Sequence, residues 1–269
     1  MRIVVCAKEV LDPDAVNNYA LAGSLVIGED GKTLTQTTIP PLMNAYDEQA
    51  IEAALQLKEA GADCTITVVS VGEDLTTMLK HAASLGVDEV IELTADTAVL
   101  DGAAVARLLA AYVRSLGGAD VILCGRQASD DDQGVVPAIL GELLDMPVVT
   151  VARAVTLTGD GARLQVTRAT PDGNEDVECA CPAVVTISNE FGAPRYPKTA
   201  AKMKVRRLKP PTVSPGDLSL GPEDLEPTVT LTRQFVPAVQ GSCEFIDGST
   251  PTELADRLVA RLRDDGVLQ

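Results

Sequence analysis

Short apolar runs separated by longer stretches of helical period set the pattern of this chain. Runs rich in Val, Ile, Leu and Thr at 3–8, 64–71, 89–93, 121–125 and 148–152, each closed by turn residues, predict five strands. Between them, 45–60 places Ala50, Ile51, Ala54, Leu55 and Leu57 near one face and leaves Glu48, Glu52, Lys58 and Glu59 for water, which predicts a surface helix ending before Gly61. Segments 75–85 and 103–116 repeat that pattern and stop at Gly86 and at Gly117-Gly118, where a left-handed cap costs little. Strands alternating with crossover helices predict an α/β fold, a doubly wound and mostly parallel sheet.

The pattern changes after Val155. Alternating residues on both sides of Gly159-Asp160-Gly161 predict a β-hairpin region over 155–188, with a last strand at 183–188. Segment 198–209 is strongly basic, and 210–227 is so rich in Pro, Gly and Asp that it is expected to cross the surface without regular structure. Leu254, Leu258, Val259 and Leu262 recur at helical spacing after Ser249-Thr250, predicting a capped amphipathic helix that needs a docking surface. The expected organisation is an α/β domain over 1–190, a basic segment over 191–209 and an arm with a terminal helix over 210–269.

Composition narrows the possible functions. A net charge of -17 repels nucleic-acid phosphates, so nucleic acid is not an expected partner. The acidic surface serves either solubility or the steering of a partner protein, and charge alone does not choose between them. The chain opens directly on the strand-like Ile3-Val4-Val5-Cys6 without the apolar stretch of a signal peptide or membrane span; a cytoplasmic location without membrane insertion is expected. Six scattered cysteines include one C-x-C pair, Cys179 and Cys181, which alternation places on one face of a strand. They offer no metal-binding set, and the single histidine, His81, reads as a plain helix residue.

The stretch 121–144, VILCGRQASDDDQGVVPAILGELL, reads as strand, polar loop and helix. A helix starting near 134–137 at the carboxyl end of a strand would turn unpaired N–H groups and its positive dipole end toward an anion, and Pro137 is tolerated in a first turn. The aspartates Asp130, Asp131 and Asp132 then need separate tasks: capping the helix, holding the loop, pairing with Arg126 or taking a ribose hydroxyl. A solvated acidic loop that merely begins a helix is the plainer alternative.

Gly125-Arg126-Gln127-Ala128-Ser129-Asp130-Asp131-Asp132 resembles the L-G-K/R-Q-A-x-D-x-D signature of the β subunits of electron transfer flavoproteins. The opening from Ile3 to Val10, the segment from Met43 to Glu52, and Pro182-Ala183-Val184-Val185 leading to Ala193-Pro194-Arg195-Tyr196 are similar to the same family in the same order, over roughly the first 210 residues. The resemblance implies a Rossmann-like fold of the adenine-nucleotide-binding type and an electron-transfer carrier with no catalytic residues. It also implies an obligatory α subunit holding the principal FAD, a flavin dehydrogenase as donor and an oxidoreductase, quinone-linked or other, as acceptor. It places the nucleotide along Cys6, along Asn44, Ala45, Tyr46 and Asp47, at Val71, and along Arg126, Gln127, Ala128, Ser129, Asp130, Asp131, Asp132, Gln133, Gly134, Val135 and Val136. Asn44 has the amide to read a base or ribose edge and is equally a turn or cap residue; Gly134 allows close backbone approach. Partner binding is implied for Arg195, Tyr196, Lys198, Thr199 and Lys202.

Two departures bear on ligand and partner. The phosphate loop is one residue shorter than the common version, and AMP is the expected nucleotide, with a second FAD, as in electron-bifurcating members, the alternative. Thr199 stands where the family places a leucine anchor, so a partner other than the usual acyl-CoA dehydrogenase is expected. A free-standing α/β ATP-binding enzyme or nucleotide sensor is the competing class, but the chain has no G-x-x-x-x-G-K-S/T loop.

Overall fold

The computed structural model describes residues 1–35, 38–158, 161–236 and 243–268. The chain forms two compact units, Met1–Gln234 and Phe235–Gln269. In order, the first contains β1 (Arg2–Cys6), β2 (Glu9–Leu11), α1 (Pro13–Leu21), β3 (Pro41–Met43), α2 (Ala45–Glu59), β4 (Thr65–Gly72), α3 (Thr76–Leu85), β5 (Glu89–Thr94) and α4 (Gly102–Ser115). It continues with β6 (Val121–Gly125), α5 (Val136–Leu144), β7 (Val148–Thr158), β8 (Arg163–Thr170), β9 (Gly173–Ala180), β10 (Ala183–Ile187), α6 (Thr199–Val205) and β11 (Thr212–Val213). The second unit holds α7 (Pro251–Asp264).

Nine strands form one sheet in the order β11-β5-β4-β1-β6-β10-β7-β8-β9. From β11 to β7 the pairs are parallel, and β7-β8-β9 continue as an antiparallel meander. Strands β6 and β10 are buried along their whole length, which is why they read as continuous apolar runs rather than as alternation. Their side chains still divide by pleat. Val5, Leu123 and Val185 meet Ile51, Leu55 and Leu79 from α2 and α3, while Val4, Ile122 and Val184 meet Leu108, Leu109 and Leu140 from α4 and α5. The five predicted strands and three predicted crossover helices are all present, with ends shifted by one or two residues except that β7 runs six residues further, to Thr158.

The structure corrects several expectations. The Pro-rich stretch 210–227 is not without regular structure: β11 adds to the edge of β5, with Glu92 N–H donating to Pro211 O at 3.0 Å, and 3-10 turns follow at Gly216–Leu218 and Pro222–Leu225. An edge position tolerates proline because only one side of the strand must pair. Arg107 then donates to the carbonyls of Asp224 and Glu226, both at 2.5 Å, and Asp101 accepts from the N–H groups of Thr228 and Val229, at 2.6 and 2.9 Å. The first part of the expected arm is thereby tied along its own domain.

The hairpin is a three-stranded meander, whose third strand, β9, was signalled only by the strand placement of Cys179. Its turn residues 159 and 160 lie outside the described residues. Cys181 follows β9 instead of sharing its face with Cys179. Unpredicted are α1, capped by Asp12 accepting from Asp14 N–H at 3.0 Å, and the short antiparallel pair β2-β3. In the second unit, Thr250 Oγ1 accepts from Glu253 N–H at 3.2 Å and Glu253 accepts from Ser249 N–H at 2.9 Å, so α7 begins as the sequence signalled. Among the described residues no helix is long and apolar enough to cross a membrane.

Candidate nucleotide site at the sheet switch point

The chain runs from β1 through β4 to β5 on one side and returns to β6 on the other, so the winding reverses between β1 and β6. Open α/β sheets bind ligands beyond the carboxyl ends of the strands at such a point. Here the first turn of α2 plugs the gap. Asp47, only 6% exposed, accepts from Lys8 N–H at the end of β1 and from Gly125 N–H at the end of β6, both at 2.8 Å. Burial pushes its carboxyl up to about 6, against the two N–H bonds, Asn44 and Lys8, which favour the charged form. Gly125 has no room for a side chain: a Cβ would lie 2.4 Å from Asp47 Oδ1 and 2.7 Å from Tyr46 Cβ.

Asn44, 1% exposed, donates through Nδ2 to Gln127 O at 2.9 Å and accepts through Oδ1 from Ser129 N–H at 3.3 Å. Although it occupies the N-cap position of α2, its side chain makes no cap bond; both ends of its amide hold the loop 126–134. Ala45 is exposed, and Tyr46 lies under the Arg126 guanidinium, 5.7 Å from ring centre to Cζ. Ala128 O accepts from Asp132 N–H at 2.9 Å, closing a turn inside the loop.

The aspartates have tasks, but not all those expected. Lys8 Nζ pairs with Asp130 at 2.8 Å and Asp131 at 3.3 Å, so the cation that meets them is Lys8 and not Arg126. Arg126 Nε donates to Gln127 Oε1 at 3.2 Å. Asp131 also accepts from Gln133 N–H at 3.2 Å, and Asp132 accepts from Gln127 Nε2 at 2.7 Å. None of the three caps α5, whose N-cap is Val135 and which has no side-chain cap at all. The first N–H groups of α5 are left for another acceptor. Gly134 stands before them at φ 62, where a Cβ would come within 2.7 Å of Arg126 O.

The loop and the start of α5 open on a cleft of about 650 Å³. Arg126, Gln127, Asp132, Gln133 and Gly134 line one wall with Pro137 and Ala138, and Thr150, Val151, Thr170, Thr186 and Glu190 line the other. Cys6, Asn44, Asp47 and Val71 gather at the same end of the sheet but do not line this cleft. The second wall was not foreseen. Apart from Glu190, in the 3-10 turn after β10, its residues come from β7, β8 and β10 and meet only through strand pairing, and Val151, a β-branched residue at φ 61 with its N–H on Thr186 Oγ1 at 2.9 Å, gives no sequence signal.

Other candidate chemistry is quiet. Cys6 and Cys124 are register partners on β1 and β6, and hydrogen bonding to Cys6 together with burial raises the Cys124 thiol well above its ordinary range. Among the described residues no three metal-ligating side chains cluster. His81 is more than a plain helix residue, since its Nε2 meets Glu48 and joins α3 to α2. In the expected partner segment Lys198, Thr199 and Lys202 are exposed and Tyr196 is 94% exposed, whereas the Arg195 side chain folds back onto α2.

Comparison with known proteins agrees with this geometry. The electron transfer flavoprotein domain matches residues 33–213. The chain is 30% identical to the caffeyl-CoA reductase-Etf complex subunit CarD of Acetobacterium woodii over the full length of both. It is 32% identical to the electron transfer flavoprotein subunit beta of Bacillus subtilis over 83% of this chain and 86% of that one. With the subunit beta of Thermoanaerobacterium thermosaccharolyticum it shares 34% identity over 73% and 72% of the two chains. A doubly wound sheet, the loop signature at its switch point and these matches together place the chain in the electron transfer flavoprotein family, among the β subunits.

Proposed function

We propose that this chain holds AMP along the loop that leaves the carboxyl end of β6 and, paired with an α subunit carrying FAD, passes electrons from a flavin dehydrogenase to an acceptor oxidoreductase in the cytoplasm. The observation that carries the ligand reading is the uncapped start of α5 behind Gly134, opening on the cleft. The N–H groups there suit a phosphate, and Lys8 offsets the charge of Asp130 and Asp131 that would otherwise repel it. Asn44 and Asp47 serve as the frame that fixes the loop, while Asp132 and Gln133, which face the cleft, are the side chains placed to take ribose hydroxyls. AMP would add phosphate and adenine contacts to a loop that Asn44 and Asp47 already hold, and no group for bond breaking is assigned to this chain. A second FAD in place of AMP is the alternative, and the continuation of the cleft to Thr150 and Thr170 on β7 and β8 favours it.

Tyr196, Lys198, Thr199 and Lys202 form the partner-facing surface, and its charge suits an acidic donor. The apolar residues of α7, among them Leu254 and Leu258, are the side on which the α subunit docks. Release and quantification of nucleotides from the purified α/β heterodimer tests the ligand assignment. One FAD and one AMP per heterodimer is the expected result, two FAD establishes the alternative, and one FAD with no second nucleotide refutes both.

A further inference from the structure

The resemblance places Arg195 among residues that touch the partner, but its donors are already committed. Its backbone N–H and Nε reach Glu52 Oε2 at 3.1 and 2.7 Å, and Nη2 reaches Glu52 Oε1 at 3.0 Å. Nη1 and Nη2 reach the two oxygens of Glu59 at 2.6 and 3.0 Å. Both carboxylates stand on α2, and Glu52 is buried there, 7% exposed. Three residues upstream Gln49, also on α2, donates to Gly192 O at 2.9 Å. The chain leaving β10 is therefore pinned to α2 at Gly192 and again at Arg195, and the next residue, Tyr196, points into solvent ahead of α6.

We infer that Arg195 is a positioning residue: it does not meet the partner but locks the partner-facing segment onto α2 through Glu52 and Glu59. A planar guanidinium can grip two carboxylates at once with fixed direction, which a lysine ammonium cannot. Because α2 also carries Asn44 and Asp47 at its first turn, the nucleotide loop and the partner segment take their positions from one rigid helix. The inference rests on the reading of 196–209 as the partner surface.

The test uses the α/β heterodimer with Arg195→Gln, Arg195→Lys, Glu52→Gln and the double change Arg195→Gln/Glu52→Gln. The probe donor, a stand-in for the native one, is a flavin-dependent acyl-CoA dehydrogenase reduced by its substrate, and backbone hydrogen exchange of 192–205 is followed in parallel. Each single change is expected to speed exchange in that segment and to raise the donor KM about tenfold with kcat unchanged, the equivalent of one charge-assisted hydrogen bond. The double change should add little to either single one, because both break the same lock. Arg195→Lys should not rescue. A raised KM for Arg195→Gln with Glu52→Gln at the wild-type value, or rescue by lysine, would show direct partner contact and overturn the lock. Unchanged exchange in both Arg195→Gln and Glu52→Gln overturns it as well. If instead Tyr196→Ala and Lys202→Glu leave KM unmoved while exchange is faster in the Arg195 and Glu52 variants, the lock stands and the partner surface lies elsewhere.

Discussion

The loop 126–134, proposed to hold the nucleotide, and the segment 192–205, proposed to face the partner, are both polar stretches leaving the carboxyl end of a buried strand, β6 for one and β10 for the other, and both are held by α2. They are held differently. The loop is fixed from within by Asn44 and Asp47, nearly sealed from water, whose bonds go to backbone groups. The segment proposed to face the partner is fixed by Gln49 on Gly192 O and by the ion pairs of Arg195 with Glu52 and Glu59, and Tyr196, Lys198, Thr199 and Lys202 beyond them are exposed. Buried polar groups cost a great deal when left unpaired, so the first region is rigid and intolerant of change. Exposed charges are worth little to stability and are free to be tuned for steering, so the second can vary with the partner.

The largest test of this contrast lies at the loop. Gly134→Glu adds a side chain where the backbone conformation is left-handed and Arg126 O is close, and places a negative charge before the α5 terminus. Nucleotide retention is expected to fall on the order of 100-fold, equal to about 3 kcal/mol, with the α-subunit FAD still bound. Equal AMP or FAD content in mutant and wild type would remove the nucleotide from this loop.

Asp47→Ala comes next. It strips the acceptor from the Lys8 and Gly125 N–H groups, and the expected loss is about 2–5 kcal/mol of stability in denaturant unfolding. The pH dependence has a definite sign. With its folded value raised from 3.8 to about 6, Asp47 binds a proton in the native state that the unfolded chain has already lost across that window. Its contribution is therefore fully present below about 3.8 and lost as pH rises through about 6, opposing the carboxylates whose values are lowered, such as Asp88 and Glu52. Asp47→Asn should make the slope of stability against pH more positive between those limits, by up to about 1.4 kcal/mol per unit. An unaltered slope would mean that the carboxyl titrates at its ordinary value.

The smallest expected effect belongs to the exposed region. Thr199→Leu restores an apolar anchor and should strengthen the encounter with a generic acyl-CoA dehydrogenase by about 1–2 kcal/mol without helping the native donor. Electron-transfer rates at low and high salt distinguish the cases: the native donor's rate should fall steeply with salt. A salt-insensitive native rate that leucine raises would reverse the assignment.

Much of the fold was legible because its signals are local. The period of 45–60, the glycine stops at Gly86 and Gly117, and the Thr250 cap each depend on neighbours a few residues away. Elements of two or three residues such as β2, β3 and β11 carry no period and exist only because a partner strand is present. Arg126, Gln127, Asp132, Gln133 and Gly134 of the cleft wall belong to the loop that the sequence singles out, whereas Thr150, Val151 and Thr186 were not readable, because they reach the cleft through the pairing of β7 with β10.

By itself, the sequence determined the alternation of strands and helices, the glycine at the mouth of α5 and the basic character of segment 198–209. Tertiary structure alone decided which groups meet. Asp47 finds Gly125 across 78 positions, Asn44 finds Gln127 across 83, and Arg195 finds Glu52 across 143. Periodicity and capping are set by short-range backbone geometry, whereas the partner of a buried carboxylate or a guanidinium is set by which strands lie side by side, and that choice is made by the packing of the whole sheet.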